Sequence, residues 1–128
     1  MTTAKTALAV LDDEAKLRSA IARLLRANGC DVELFESGEA FLASVQDHLP
    51  DCLLLDLHMP GMTGFDVLES LAARHVQMPV IVITGHDEPD NKERVLALGG
   101  AAYLLKPVNR ITLMAAIADA CQRTSTRP

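Results

Sequence analysis

Five residues able to bind ions and phosphate recur at one kind of place in this sequence, directly after a short apolar run. Asp12 and Asp13 follow Ala7-Leu8-Ala9-Val10-Leu11, and Asp56 follows Cys52-Leu53-Leu54-Leu55. Thr84 follows Val80-Ile81-Val82-Ile83, and Lys106 follows Ala102-Tyr103-Leu104-Leu105. Any one of them could simply cap a strand at the entry to a loop, and the set as a whole asks for several coincidences. Three carboxylates brought together repel one another unless a cation sits among them. No histidine or cysteine stands beside them with ligand spacing, so the donors are all oxygen. Such a set suits a hard cation, and Mg²⁺ commonly takes one or two carboxylates, waters and phosphate oxygens. Lys106 offers a point charge to phosphate oxygens and Thr84 a hydroxyl donor. A carboxylate nucleophile that becomes an aspartyl phosphate is one mode of covalent catalysis. Phosphoryl transfer needs mainly positioning and charge neutralisation, which these groups supply.

The elements that must position these residues alternate regularly. Ala7–Leu11 reads as a buried strand stopped by Asp12-Asp13. From Glu14 to Asn28, Leu17, Ala20, Ile21, Leu24 and Leu25 have helical spacing, and Asn28-Gly29 is a stop. Val32 to Phe35 reads as a strand. Ser37 then caps a helix with Ala40, Phe41 and Val45 on one face, and Pro50 breaks it. The strand Cys52–Leu55 ends at Asp56, and His58 to Gly64 is a loop rich in proline and glycine. Phe65, Leu68 and Leu71 mark the next helix, and Pro79 opens the strand Val80–Ile83. Asp87 to Leu98 can form a helix stopped by Gly99-Gly100. After the last strand, Ala102–Leu105, the final helix carries Ile111, Met114, Ile117, Ala118 and Cys121. Strands that are apolar almost throughout and alternate with helices imply a parallel sheet covered on both faces, an α/β doubly wound sandwich. The carboxyl ends of parallel strands share one edge, where ligands bind.

Composition sets the outer bounds. The 128 residues are 49% hydrophobic and 23% charged, enough apolar material for one core. No apolar run approaches the roughly 18 residues that span a bilayer, and the N-terminus does not read as a signal peptide, so a cytoplasmic location is expected. Cys30, Cys52 and Cys121 fit neither a disulfide framework nor a zinc pattern and read as small apolar residues, with room for one reactive thiol. The net charge of -5 and the lack of a long basic stretch argue against direct nucleic acid binding.

With these residues in place, the sequence resembles the receiver domain of two-component response regulators. The resemblance rests on Val10-Leu11-Asp12-Asp13-Glu14, on Leu53-Leu54-Leu55-Asp56-Leu57-His58-Met59-Pro60-Gly61-Met62-Thr63-Gly64, on Ile81-Val82-Ile83-Thr84-Gly85-His86 and on Tyr103-Leu104-Leu105-Lys106-Pro107. It covers residues 6–122. An acidic pair alone is a weak signal, whereas Asp-x-x-Met-Pro-x-x-x-Gly after an apolar strand is a specific one. The resemblance implies a flavodoxin-like (βα)5 fold with strand order 2-1-3-4-5, one receiver domain over residues 1–122 and a flexible tail or linker stump over 123–128. It implies that Asp56 accepts a phosphoryl group from a sensor histidine kinase or a histidine phosphotransfer protein. Asp13, Asp56 and the backbone carbonyl of His58 would bind Mg²⁺, with Asp12 acting through water. Thr84 would move to the phosphoryl group, Lys106 would pair with it, and Tyr103 would turn inward as the switch aromatic. The Lys106-Pro107 bond would be cis. The resemblance further implies no catalysis beyond the domain's own phosphorylation and dephosphorylation, and a homodimer formed on phosphorylation.

Several positions are less defined by the family pattern. His58 lies two residues after the acceptor, at a variable position that tunes loss of the phosphoryl group, and His86 lies two after Thr84. The plainer reading of both is an exposed loop histidine. His48 and His75 read as surface residues near helix ends, and Met59 and Met62 as loop packing. Val108 stands where many relatives carry an aromatic residue. The signalling face of the family, helix 4, strand 5 and helix 5, would here include Arg94, Tyr103 and Arg110.

Two other readings share part of the pattern. The motifs are most like those of receivers joined to a C-terminal helix-turn-helix domain, so the chain could be the receiver half of a DNA-binding transcriptional regulator, although no recognition helix is present in these residues. An enzyme on a flavodoxin-like sheet is the other. A flavin protein needs a phosphate-cradling loop after the first strand, where Asp12-Asp13 would repel a phosphate. A haloacid-dehalogenase-type phosphatase needs an Asp-x-Asp pattern there, which is absent.

Overall fold

The computed structural model describes residues 5–125. Five strands alternate with five helices: β1 (Ala7–Leu11), α1 (Ala15–Ala27), β2 (Asp31–Phe35), α2 (Gly38–Ser44), β3 (Cys52–Asp56), α3 (Gly64–Ala73), β4 (Val80–Thr84), α4 (Asn91–Ala97), β5 (Ala102–Leu105) and α5 (Arg110–Ser125). All strand pairs are parallel, in the order β2-β1-β3-β4-β5. This is the expected flavodoxin-like α/β fold.

The sheet is covered on both faces because its strands carry apolar side chains in both directions. Successive residues of a strand point to opposite faces. In β3, Leu53 and Leu55 enter one core layer with Phe41, Val67, Leu68 and Val95, from α2, α3 and α4. Cys52 and Leu54 enter the other with Leu25, Leu113 and Ile117, from α1 and α5. Each fully buried leucine contributes about 1.5–3 kcal/mol. The register Leu55↔Val82 and Asp56↔Ile83 sets the end of β3 level with the end of β4.

Local signals explain most helix ends. The Ser37 side chain accepts a hydrogen bond from the Ala40 N–H at 3.2 Å, as its N-cap position predicts. Gly29 takes φ +85° just past α1. Thr63 and Asp66 form a reciprocal capping box that fixes the start of α3.

Two expectations need correction. The helix expected over Asp87–Leu98 is only Asn91–Ala97. Pro89 disfavours helical geometry at the residue before it, and Asp90 takes a left-handed φ of 69°, so the chain enters α4 through a turn. On α5, Ile111 is 74% exposed and Ala118 is exposed too, while Leu113, Ile117 and Ala120 make the buried stripe. The helix is rotated by about one residue from its expected phase, because small alanines on several faces blur the apolar period. Similarly, Ala20 and Ala40 face solvent, while Ala22 and Leu42 are buried. α5 runs on through Ser125, and the rest of the tail expected over 123–128 lies outside the described residues.

Candidate functional site

The ends of β1, β3, β4 and β5 bring the five sequence-selected residues to one edge of the sheet. Asp12, just past β1, is 3% exposed. Its N–H donates to the Phe35 carbonyl at 3.3 Å, its Oδ1 accepts from the Glu14 N–H at 2.9 Å, and its carbonyl accepts from the Arg18 guanidinium at 2.6 Å. Asp13 beside it is exposed. Asp56, the last residue of β3, is 6% exposed. Its Oδ1 accepts a long 3.4 Å hydrogen bond from the His58 N–H.

Lys106 ties these carboxylates together. Its N–H donates to the Thr84 carbonyl at 2.8 Å, which orients the residue as it leaves β5. Its Nζ then lies 3.3 Å from Asp12 Oδ2 and 3.5 Å from Asp56 Oδ1. The Lys106-Pro107 peptide is cis. Thr84 is fully buried. Its Oγ1 accepts from the His86 N–H at 3.1 Å and donates to the His86 carbonyl at 3.3 Å.

Electrostatics follow from this geometry. Burial pushes the Asp56 carboxyl above its ordinary pKa, and the nearby Asp12 charge adds to the rise; Lys106 and the His58 N–H pull against it. One ligand oxygen from each of Asp12, Asp13 and Asp56 lies within 4.8 Å of the others. The donors are all oxygen, and one ammonium does not neutralise three carboxylates. The chemistry of this set fits a hard divalent cation such as Mg²⁺.

The loop after Asp56 is held by close packing. The Gly64 N–H donates to the Leu57 carbonyl at 3.0 Å. A Cβ on Gly64 would lie 2.6 Å from the Asp56 carbonyl oxygen and 2.7 Å from the Leu57 Cα. Backbone cannot yield as a flexible side chain can. Gly64→Ala is therefore expected to destabilise the fold by about 1–3 kcal/mol, read by urea denaturation.

Other contacts were not legible in the sequence. The Tyr103 hydroxyl donates to Asp87 Oδ1 at 3.1 Å, and Asn91 Nδ2 donates to the His86 carbonyl at 3.4 Å. The loop between β4 and α4 thus links Thr84 to Tyr103 through hydrogen bonds. The rings of His58 and His86, both exposed, meet edge to face with centroids 4.6 Å apart. Arg94 lies over the Phe65 ring at 3.9 Å from its centroid. No local pattern announces these pairings, since each joins residues from separate elements or loops. Nothing in the structure assigns a part to Val108, which packs partly buried against the α1/α5 core layer.

Comparison with known proteins agrees with this geometry. The family model for the response regulator receiver domain matches residues 8–118. Nodulation protein W of Bradyrhizobium diazoefficiens is 31% identical over 123 residues, covering 96% of this chain and 54% of that protein. The transcriptional regulatory protein FixJ of Rhizobium meliloti is 34% identical over 113 residues, covering 88% of this chain and 55% of that protein. The chain thus spans about half the length of these relatives. The crystal structure of FixJ-N superposes with a TM-score of 0.87 at 32% identity, covering 94% of this chain and 96% of that one. Chemotaxis protein CheY4 of Vibrio cholerae superposes with a TM-score of 0.84 at 27% identity, covering 91% and 99%.

Proposed function

This chain belongs to the response regulator receiver domain family, and on that premise we propose that it is a phosphorylation-switched signalling module with Asp56 as its acceptor. The observation that carries the proposal is the meeting of Asp12, Asp13 and Asp56 at one sheet edge, with Lys106 Nζ 3.3 and 3.5 Å from two of them.

The donor is a phosphohistidine on a sensor histidine kinase or a histidine phosphotransfer protein. An Asp56 carboxylate oxygen attacks phosphorus, a P–O bond forms, and the P–N bond breaks with its electron pair returning to the imidazole. Asp13, Asp56 and the His58 carbonyl would hold Mg²⁺, with Asp12 acting through water. Bound there, Mg²⁺ supplies positive charge that lets an anionic phosphoryl group approach carboxylates. Lys106 turns its ammonium from the carboxylates to the phosphoryl oxygens. The domain acts on its own phosphorylation and dephosphorylation only.

The switch uses the same contacts. Thr84 exchanges its hydrogen bond to the His86 carbonyl for one to the phosphoryl group. That disturbs the loop whose Asp87 holds the Tyr103 hydroxyl, and Tyr103 turns inward. Phosphorylation therefore shifts a two-state equilibrium of the face formed by α4, β5 and α5. Leu96, Leu105 and Ile111 are exposed on these elements, which suits pairing with a second phosphorylated copy. No helix among the described residues is long and apolar enough to cross a membrane. A cytoplasmic setting beside the kinase belongs to the same proposal.

A second reading is favoured by the comparisons. The matched relatives include FixJ and proteins named DNA-binding transcriptional regulator NtrC, and the chain covers 55% and 21% of them. On this reading the module controls a DNA-binding output domain, and the mass of the native protein in cell extract tests it.

The test of the first reading is labelling by acetyl phosphate, followed by intact mass. A gain of one phosphoryl group with Mg²⁺, abolished by EDTA, is expected. No gain under either condition counts against the proposal.

A further inference from the structure

The three cysteines are outside the phosphorylation chemistry, and the fold brings two of them together. Cys52 is the first residue of β3 and is wholly buried. Cys121 lies on α5, half-buried, against the core layer that contains Cys52. The Cys121 Sγ stands 3.9 Å from the carbonyl oxygen of Asp51, the residue just before Cys52. Each thiol also lies near enough to act on the ionisation of the other. They are far apart in sequence, so only the packing of α5 on the sheet makes this pair.

We propose that Cys52 and Cys121 are a peroxide-oxidisable dithiol that closes to an intramolecular disulfide and staples α5 to β3. The roles of the two thiols differ. Burial is the main cause that raises both pKa values; the nearness of Cys121 raises Cys52 further, whereas the nearness of Cys52 draws Cys121 back down. Cys121 is also the one that solvent reaches. Cys121 therefore reacts first: its sulfur attacks hydrogen peroxide, the O–O bond breaks, and Cys121 sulfenic acid and one water form. The Cys52 sulfur then attacks the sulfenic sulfur, the S–O bond breaks, and a second water leaves. Two thiols and one peroxide give one disulfide and two waters. Cys30 lies near enough to influence the Cys121 thiol, yet it is buried and directly precedes β2, which β1 separates from β3. It remains a free thiol.

The place of this pair matters for signalling. Four residue steps run from Cys52 to Asp56, about 13 Å along β3. The disulfide would therefore form without touching the acceptor. It would pin α5, part of the proposed signalling face, at the far end of the sheet. The inference does not depend on the proposed phosphorylation.

The test treats the full chain with hydrogen peroxide, then counts free thiols and maps peptides without reduction. One free thiol of three is expected, with a peptide linking Cys52 to Cys121. The Tm should rise by roughly 5–10 °C and return on adding dithiothreitol. Cys121→Ser removes only a half-buried thiol, and should give neither the link nor the shift. Cys30→Ala should keep both. Three free thiols after treatment, a link through Cys30, a link only between two chains, or Cys121 stopping at sulfinic acid would each overturn the proposal.

Discussion

Lys106→Ala is expected to destabilise the unligated domain by about 3–4 kcal/mol near neutral pH. It is also expected to slow labelling by acetyl phosphate about a hundredfold or more. Lys106 Nζ is within 3.5 Å of two buried carboxylates, and its own side chain is only 22% exposed. It is not a solvated surface pair, for which a loss of under about 1 kcal/mol would be expected. Removing it leaves Asp12 and Asp56 facing each other with no compensating charge. The pH dependence has a definite sign. Asp56 already titrates above its ordinary value in the fold. The folded state therefore holds this proton more tightly than the unfolded chain does, and stability is lost as pH rises from about 3.9 through the folded pKa. Without Lys106 the folded pKa climbs further, so the penalty of the substitution grows with pH. Urea denaturation should show a loss that grows as pH rises above the unfolded carboxylate value of about 3.9 and is largest near about pH 8. Lys106→Met keeps most of the aliphatic stem and should show the same pH trend, which separates lost charge from lost packing. A small, pH-independent loss in both variants would contradict the site's electrostatics.

Asp56→Asn should do the opposite to stability. The amide can keep its oxygen toward the His58 N–H and Lys106 and turn its NH₂ toward Asp12. A repulsion between two buried carboxylates becomes a hydrogen bond. In EDTA the variant is expected to be more stable than wild type by about 1–2 kcal/mol near neutral pH, as function-bearing sites often are when relieved. The gain should vanish below about pH 4, where wild-type Asp56 is protonated in both states. Magnesium should narrow the gap. At tenfold over its Kd the ion stabilises wild type by about 1.4 kcal/mol, and much less the variant that lacks a carboxylate ligand. Thermal unfolding of both proteins in EDTA and in excess MgCl₂ reads all of this. A less stable variant in EDTA, or equal magnesium effects, would mean that Asp56 is not strained by its neighbours or does not bind the ion.

The strands and their order were legible because a parallel strand buried on both faces is an almost unbroken apolar run, as Val80–Ile83 is. Asp12, Asp13, Asp56, Thr84 and Lys106 were legible for a related reason. Each ends such a run, and all carboxyl ends of a parallel sheet share an edge. The start of α4 was not legible, since Asp90 takes a left-handed conformation that its type permits but does not demand. The phase of α5 was obscured by alanines at Ala115, Ala116, Ala118 and Ala120, of which only Ala120 is buried. Contacts between elements, Tyr103 with Asp87 and Cys52 with Cys121, depend on how helices and loops seat on the sheet. No spacing along the chain encodes them.

Asp56 as the acceptor is tested most directly by reducing the acetyl-phosphate-labelled wild-type domain with sodium borohydride. That reagent converts an acyl phosphate of aspartate to homoserine, so the site can be sequenced. Homoserine at position 56 and nowhere else, with none in the EDTA control, is the predicted result. Homoserine at Asp12 or Asp13, or a labelled protein that yields no homoserine, would contradict it.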